Sequence, residues 1–136
     1  AATDRRLKVL RSVASAPLPG KSLVVLDPAL RLAVDVFPCE DGHAQERRLF
    51  EQVLATIKPK ELWIADRNMC TLGFLSGIAK RQATFLIRAH QHLPWQAVSE
   101  LQEVGQVEAG EVFEQTIEIQ FDGTPLRLRR AVLRLA

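Results

Sequence analysis

Two short apolar runs, each followed by a charged residue, constrain the fold of this chain most strongly. Leu62–Ala65 is followed by Asp66, and Thr84–Ile87 is followed by Arg88. Runs of this length are typical of buried strands. A carboxylate at the carboxyl end of such a strand lies where α/β sheets bind ligands and metals. Asp66 is therefore the first candidate for a functional residue.

The remaining patterns predict the elements around these runs. Residues 22–37 read as a hairpin whose turn begins at Asp27 and contains Pro28. Apolar residues at helical spacing predict a helix over 43–58, and a second helix capped by Thr71 and reaching about residue 82. With strands over 61–66 and 83–88, the order β-β-α-β-α-β predicts an α/β fold: a mixed sheet covered by helices.

Beyond His92 the pattern changes to β structure. Residues 94–101 are expected to form a short helix. Apolar and polar residues then alternate from Phe113 to Phe121, which predicts a half-buried strand. Asp122-Gly123 is a turn signal, and residues 126–135 form the returning strand of an antiparallel hairpin.

The composition is that of an ordinary globular protein and does not by itself identify a function. The chain has 136 residues, enough for one domain with a core, and its 47% hydrophobic and 25% charged residues are typical of globular proteins. The net charge of +2 does not by itself indicate a nucleic-acid partner. However, residues 100–122 contain acids without Lys or Arg, and residues 123–134 contain arginines without acids. These stretches could pair with each other, or the arginines could face phosphate.

The compartment is expected to be a reducing one. Cys39 and Cys70 do not make a disulfide framework in a chain of this length, which fits the cytoplasm. No apolar run approaches the ~18 residues of a membrane span, and no secretory signal is visible. The first residue is Ala1 rather than Met, which is expected either for a piece of a longer protein or after processing.

The stretch 63–68, Trp-Ile-Ala-Asp-Arg-Asn, with Phe-Leu-Ile-Arg at 85–88, resembles a known family region. It is similar to the second-aspartate region of bacterial insertion-sequence transposases of the DDE type, in the subgroup named after insertion sequence four. Segments 7–11, 18–22, 26–28 and 39–47 resemble the same subgroup in the same order. The resemblance covers most of residues 5–92, and 93–136 correspond to a variable β-rich insertion. It therefore implies a partial ribonuclease H-like core over 1–92 and an insertion subdomain over 93–136.

The resemblance also implies an activity. Members of this family cut and join DNA with Mg²⁺ or Mn²⁺ held by three acids, because hard divalent cations prefer carboxylate oxygens. Asp66 corresponds to the second of these acids, as a catalytic residue and a metal ligand. The first acid belongs to a strand preceding the hairpin, and Asp4, in a polar context, is not expected to supply it. The third lies in a helix with Tyr, Arg, Glu and Lys, whereas this chain contains no Tyr.

We therefore expect a transposase fragment that holds one catalytic acid of three. Such a chain should be inactive alone and should bind no metal stably. The resemblance further implies DNA, both transposon ends and target, as the partner. It allows for a homodimer in the intact transposase and places the protein in the bacterial cytoplasm.

Five arginines are the predicted DNA-binding residues, through contacts to backbone phosphate. Each has a structural alternative: Arg67 could pair with Asp66, and Arg88 could be a solvated strand end. The others could pair across strands with Glu114 and Glu118. Asp66 could itself cap the turn that follows it. The full set is Arg67, Arg88, Arg127, Arg129 and Arg130.

Other sites are less well supported by the residues. A zinc site drawn from Cys39, His43, Cys70, His90 and His92 matches no strong spacing. The cysteines are more simply explained as small buried residues than as nucleophiles. Residues 18–22 end like a P-loop, but Ser15 stands where the motif needs Gly, and Lys21 opens a strand rather than a helix.

Two alternative functions remain open at the level of sequence. The first is a non-catalytic DNA-binding or regulatory transposase remnant, which would bind DNA without metal through the basic strand and the N-terminal arginines. The second is an unrelated metal-dependent nuclease. It would need a second acid close to Asp66, and Asp27 and Asp35 are the candidates for that acid.

Overall fold

A computed structural model describes residues 21–39 and 46–136. Its fold is mixed α/β, with strands dominating, which confirms the predicted class at this level. The chain divides into two compact units, one ending at Ile57 and the other beginning at Lys58. The boundary predicted at residue 92 comes from the family resemblance, which separates a transposase core from an insertion. It stays a prediction, because the division at Ile57 is one of compact units.

The first unit contains the predicted hairpin. β1 (Lys21–Asp27) and β2 (Leu32–Cys39) pair antiparallel. The Asp27 Oδ1 atom accepts hydrogen bonds from the backbone N–H groups of Ala29, at 2.8 Å, and Leu30, at 3.0 Å. A side-chain acceptor of this kind replaces the backbone partner that the reversing chain loses, so the turn follows directly after Asp27.

The helix of this unit is shorter than predicted. A 3₁₀ turn over Glu46–Leu49 leads into α1 (Phe50–Thr56), which buries Phe50 and Val53. The helix ends before Pro59, as predicted, because proline cannot continue the hydrogen-bond ladder. The first part of the predicted helix, at 43–45, lies outside the described residues.

The second unit opens with a strand–helix–strand motif. β3 (Leu62–Ala65) and β4 (Thr84–Ile87) pair in parallel, and α2 (Leu72–Lys80) lies between them in sequence. Parallel strands need a crossover of this kind, since a short turn cannot return the chain to the same end. Both predicted strands are confirmed. None of the helices described is long and apolar enough to cross a membrane.

Thr71 begins α2, as predicted. Its Oγ1 atom accepts a hydrogen bond from the backbone N–H of Phe74 at 3.3 Å. We expect Thr71→Ala to lower the free energy of unfolding by about 1 kcal/mol, because one N–H group of the first turn loses its acceptor. Urea denaturation measures this loss. Thr71→Ser keeps the hydroxyl and is the control, so an equal loss in both variants would contradict the capping role.

The rest of the second unit is a four-stranded antiparallel sheet. β7 is its central strand, with β8 along one edge and β5 and β6 following one another along the other edge. At the predicted turn, Asp122 and Gly123 have φ values of 49° and 72°, as a two-residue hairpin turn requires. The strands are β5 (Gln96–Ala97), β6 (Gln102–Val107), β7 (Gly110–Phe121) and β8 (Thr124–Leu135).

One prediction about these elements is wrong. The short helix expected over 94–101 is instead β5 and a bend, in which the N–H groups of Val98 and Ser99 both donate to the Thr116 carbonyl. An isolated helix of eight residues has marginal stability in water. Pairing with the open edge of β7 instead gives the backbone N–H and C=O groups of this segment hydrogen-bond partners. Within the units, the described strands form the β1–β2 hairpin, the parallel β3–β4 pair and the four-stranded sheet. The single mixed sheet predicted across 22–88 would join strands of both units and stays a prediction.

The core of the second unit joins its helix to its long hairpin. Cys70, Leu75 and Ile119 are its buried centre. Phe85 and Ile87 of β4 pack against this centre from the parallel pair, so α2 is covered by both sheets of the unit. Burial of Cys70 confirms that this cysteine is a small core residue.

The opposite face of the parallel pair is apolar and exposed. Leu62, Ile64 and Leu86 have exposed fractions of 60%, 67% and 62%. Parallel sheets are normally covered on both faces, and their strands are apolar on both sides for that reason. The described part of the second unit thus carries a sheet with one covered and one uncovered apolar face.

Candidate functional site

The parallel pairing of β3 and β4 brings two predicted site residues to the same edge of the sheet. Ala65 lies opposite Ile87, so Asp66 and Arg88 leave neighbouring strands at the same level. The Arg88 N–H also donates to the Ala65 carbonyl at 3.4 Å. This edge, at the carboxyl ends of the strands, is where α/β sheets bind ligands.

Asp66 is exposed and initiates a tight turn. Its Oδ1 atom accepts a hydrogen bond from the Asn68 N–H at 2.8 Å, and its carbonyl accepts one from the Met69 N–H at 3.2 Å. The capping role considered for this residue is therefore present. It does not exclude a second role, because a carboxylate has about four lone-pair sites and the described hydrogen bonds use Oδ1 alone.

A shallow depression with a volume of about 330 Å³ lies at the strand ends, where the turn that begins at Asp66 supplies part of its lining. Among the residues that the structure describes, its lining contains two exposed arginines, a histidine and two amide residues, and no Asp or Glu. Planar guanidinium groups form paired hydrogen bonds with phosphate oxygens, so this strand-end depression suits an anion. The lining residues are Arg67, Asn68, Arg88, Ala89, His90 and Gln91.

Arg67 is not held by the neighbouring acid. No salt bridge joins Arg67 to Asp66 in the part of the chain that the structure describes, so the pairing considered for Arg67 is not formed there. Arg88 is a solvated strand end, as its alternative supposed. Among the residues that the structure describes, neither guanidinium group has a salt-bridge partner, so both can contact a ligand.

The sequence prediction of this site missed three of its polar residues. Asn68, His90 and Gln91 line the depression with the two predicted arginines. His90 is fixed by a hydrogen bond from the His92 N–H to its Nδ1 atom, at 3.2 Å. The available signal was position: each of the three follows a strand end by a few residues.

Metal ligands are scarce in the described part of the chain. Among the side chains that the structure describes, no group of three or more His, Cys, Asp or Glu residues could hold a metal ion. Cys70 is buried in the core, and Asp27 is engaged by its own turn. The single carboxylate described at the strand ends does not fit a two-metal site, which needs several hard oxygen ligands. Asp4 and His43 lie outside the described residues, as does the side chain of Cys39.

Two predicted DNA-binding arginines of β8 pair with glutamates of β7. Arg127 Nε lies 3.4 Å from Glu118 Oε2, and Arg129 Nη1 lies 3.5 Å from Glu114 Oε1. The cross-strand alternative is therefore present. Exposed pairs of this kind contribute at most about 1 kcal/mol, so either guanidinium could exchange its glutamate for a phosphate.

The third predicted arginine of β8 lies on the other face of the sheet. The Arg130 guanidinium lies over the ring of Trp95, 5.1 Å from its centroid, and donates to Gln115 Oε1 at 3.1 Å. Side chains alternate along a strand, so Arg130 cannot share a face with Arg127 and Arg129. A single basic surface made of all three arginines is therefore not formed.

The strand ends combine one exposed carboxylate with a donor-lined depression. No family model matches this chain, and neither a curated protein nor a solved structure gives a significant match. The geometry places one exposed carboxylate at the same strand ends as a depression lined by two arginines, an arrangement whose chemistry suits a phosphate ester.

Proposed function

We propose that this chain is part of a DNA-processing enzyme of the phosphoryl-transfer class. More specifically, we propose a catalytic-domain fragment of a DDE transposase of a bacterial insertion sequence. The observation that carries the proposal is the position of Asp66, at the carboxyl end of β3 and beside Arg88 at the end of the parallel strand β4. The family resemblance of residues 63–68 and 85–88 places its second acid and a strand-end arginine at these two positions.

The side chains of the site have separate roles in this proposal. Asp66 is one of three acids that hold Mg²⁺ or Mn²⁺ in the intact parent enzyme, where the ions activate the attacking oxygen and neutralise charge on the phosphate. Arg67 and Arg88 bind DNA phosphates in the strand-end depression and so position the backbone beside the carboxylate. The Asx hydrogen bond to Asn68 fixes the direction of the Asp66 side chain.

The uncovered face of the parallel pair supports the idea of a partial core. Leu62 and Ile64 of β3 and Leu86 of β4 are more than half exposed, although they are apolar. A complete ribonuclease H-like sheet would be covered on this side as well. Exposed apolar strands of this type are expected where part of such a sheet is missing.

A second function is favoured by the two arginines in the lining of the depression. This function is a non-catalytic DNA-binding or regulatory transposase remnant. It would hold backbone phosphate through Arg67 and Arg88 without any metal, and its affinity for DNA would fall steeply with salt because condensed counterions are released on binding.

Nicking of supercoiled plasmid by the purified chain tests the catalytic part of the proposal. We expect no Mg²⁺- or Mn²⁺-dependent nicking, because one carboxylate cannot hold two ions. Asp66→Asn is the matched variant, since its amide oxygen can still accept the Asn68 hydrogen bond while the charge is removed. Metal-dependent nicking by the unmodified chain that Asp66→Asn abolishes would contradict the proposal that this chain is inactive alone.

Binding to a short duplex, followed by fluorescence anisotropy, separates the two functions. If Asp66 is a metal ligand, one Mg²⁺ ion shared between Asp66 and a DNA phosphate should strengthen binding of DNA to the unmodified chain more than to Asp66→Asn. If the chain binds without metal, EDTA and Asp66→Asn should both leave binding unchanged, whereas an Arg67→Gln/Arg88→Gln double variant should weaken it about tenfold or more. No binding even at low salt would exclude both functions.

The genomic sequence beside the gene segment gives an independent test. The transposase proposal expects an Asp-Gly pair upstream and a helix with Tyr, Arg, Glu and Lys downstream. A reading frame that continues on both sides without either motif would contradict it.

A further inference from the structure

The outer edge of β8 is a long strand edge that no described strand pairs with. β7 and β8 pair over twelve residues each without a register shift, and the pair Phe121–Thr124 closes the turn. In a two-residue hairpin the closing pair is hydrogen-bonded, so every second residue of β8 from Thr124 bonds to β7. The bond from the Ala136 N–H to the Ala109 carbonyl continues this alternation.

The intervening residues direct their N–H and C=O groups outward. No strand in the described part of the chain pairs with this outer edge. Pro125, at the turn end of this edge, has no N–H group to donate to a neighbouring strand. Beyond Pro125, the outward N–H and C=O groups are available to another strand. They belong to Arg127, Arg129, Ala131, Leu133 and Leu135.

This edge lacks most of the features that usually prevent strand addition. Between residues 127 and 135 it has no proline, no lysine and no bulge. The guanidinium groups of Arg127 and Arg129 are drawn back to glutamates of β7, which partly neutralises them. Leu133 and Leu135 add apolar surface, with exposed fractions of 47% and 72%.

We propose that the β8 edge pairs antiparallel with the same edge of a second copy of this chain, about a two-fold axis at Ala131. In this register Ala131 lies opposite the partner's Ala131, Arg129 opposite the partner's Leu133, and Arg127 opposite the partner's Leu135. The leucines then cover the aliphatic stems of the arginines. Small side chains at the axis allow the two strands to approach closely.

Charge excludes the neighbouring registers with an axis at residue 129, 130 or 132, and an axis at Leu133 would leave a shorter stretch of β8 paired. A two-fold axis at Arg129 or Arg130 places that arginine opposite its own copy, and an axis at Val132 places Arg130 opposite the partner's Arg134. Like charges directly opposite each other destabilise a strand pair. With the axis at Ala131, Arg130 instead lies opposite the partner's Val132, and no arginine faces another.

Sedimentation velocity of the full chain tests the proposal. We expect a reversible dimer at submillimolar concentration, and Ala131→Lys should weaken its association at least about tenfold because two ammonium groups then meet at the axis. Gln120→Lys is the matched control: it adds the same charge at an exposed position of β7, next to the turn, and should leave association unchanged. A monomer at all concentrations, or equal dimers in both variants, would overturn the proposal.

Disulfide formation by Ala131→Cys tests the register itself. Hydrogen-bonded antiparallel residues have Cα atoms about 5.5 Å apart, within disulfide range, so mild oxidation should give a covalent dimer. Arg127→Cys is the control, since residue 127 and its copy would be eight residues apart along the strand, roughly 27 Å. The unmodified chain, with Cys39 and Cys70, sets the background. Equal cross-linking of both variants would overturn this register. Neither DNA nor metal enters these tests, so their outcome is independent of the proposed function.

Discussion

Gly110→Ala is expected to lower the free energy of unfolding by about 3 kcal/mol or more, which makes it one of the most damaging single changes in the chain. Gly110 begins β7 with φ at 144°, a backbone conformation that side chains rarely allow. A Cβ atom at this position would also overlap the backbone carbonyl of Arg134 on β8. Neither problem can be relieved by a side-chain rotation, so the end of the β7–β8 pair has to open.

Two other glycines of the same sheet are matched controls. Gly105→Ala should change stability by no more than about 0.5 kcal/mol, because a Cβ atom there meets nothing within 4 Å. Gly123 also has free space but a φ of 72°, so Gly123→Ala should cost about 1 kcal/mol from backbone strain alone. Urea denaturation of the three variants should therefore rank the losses as 110, 123 and 105. Equal losses at 110 and 105 would contradict the described close approach of β7 and β8.

Local chemistry made much of the fold predictable. Period-two alternation from Phe113 to Phe121 and the turn signal at Asp122 define the long hairpin that the structure contains. Asp27 and Thr71 act through side-chain hydrogen bonds to residues two or three positions away. Hydrogen bonds between residues so close in sequence can be predicted from the sequence alone, because both partners belong to the same short segment.

Elements that depend on distant partners were predicted less well. Residues 96–97 form a strand because they pair with the edge of β7. The sequence of residues 94–101 does not indicate that this edge lies next to them. The separation of Arg130 from Arg127 and Arg129 was available from alternation along β8. The closeness of the three arginines in sequence suggested a single basic surface. The two-residue period of a strand, however, puts Arg130 on the face opposite to Arg127 and Arg129.

The candidate site was predictable only in part for the same reason. The sequence places Asp66 and Arg88 each after an apolar run, but their proximity depends on the parallel register of β3 and β4. The depression that adds Asn68, His90 and Gln91 forms where the two strand ends meet. Residue types therefore indicated the chemistry, and the pairing of the strands determined which side chains take part.

Ile119→Ala is expected to lower the free energy of unfolding by about 3 kcal/mol, because it leaves a cavity in a closely packed core. Ile119 has an exposed fraction of 1% and packs in the cluster with Cys70 and Leu75. Its side chain thus joins the long hairpin to the segment that carries α2. Urea denaturation followed by circular dichroism measures the loss.

Ile64→Ala is the matched control, since it removes the same atoms from a strand residue with an exposed fraction of 67%. It should change stability by no more than about 0.5 kcal/mol, as exposed substitutions usually do. A loss as large as that of Ile119→Ala would mean that the outward face of β3 is covered in solution. The exposed apolar face would then no longer support a partial core. The comparison of these two isoleucines therefore tests both the described packing and the structural support for a transposase fragment.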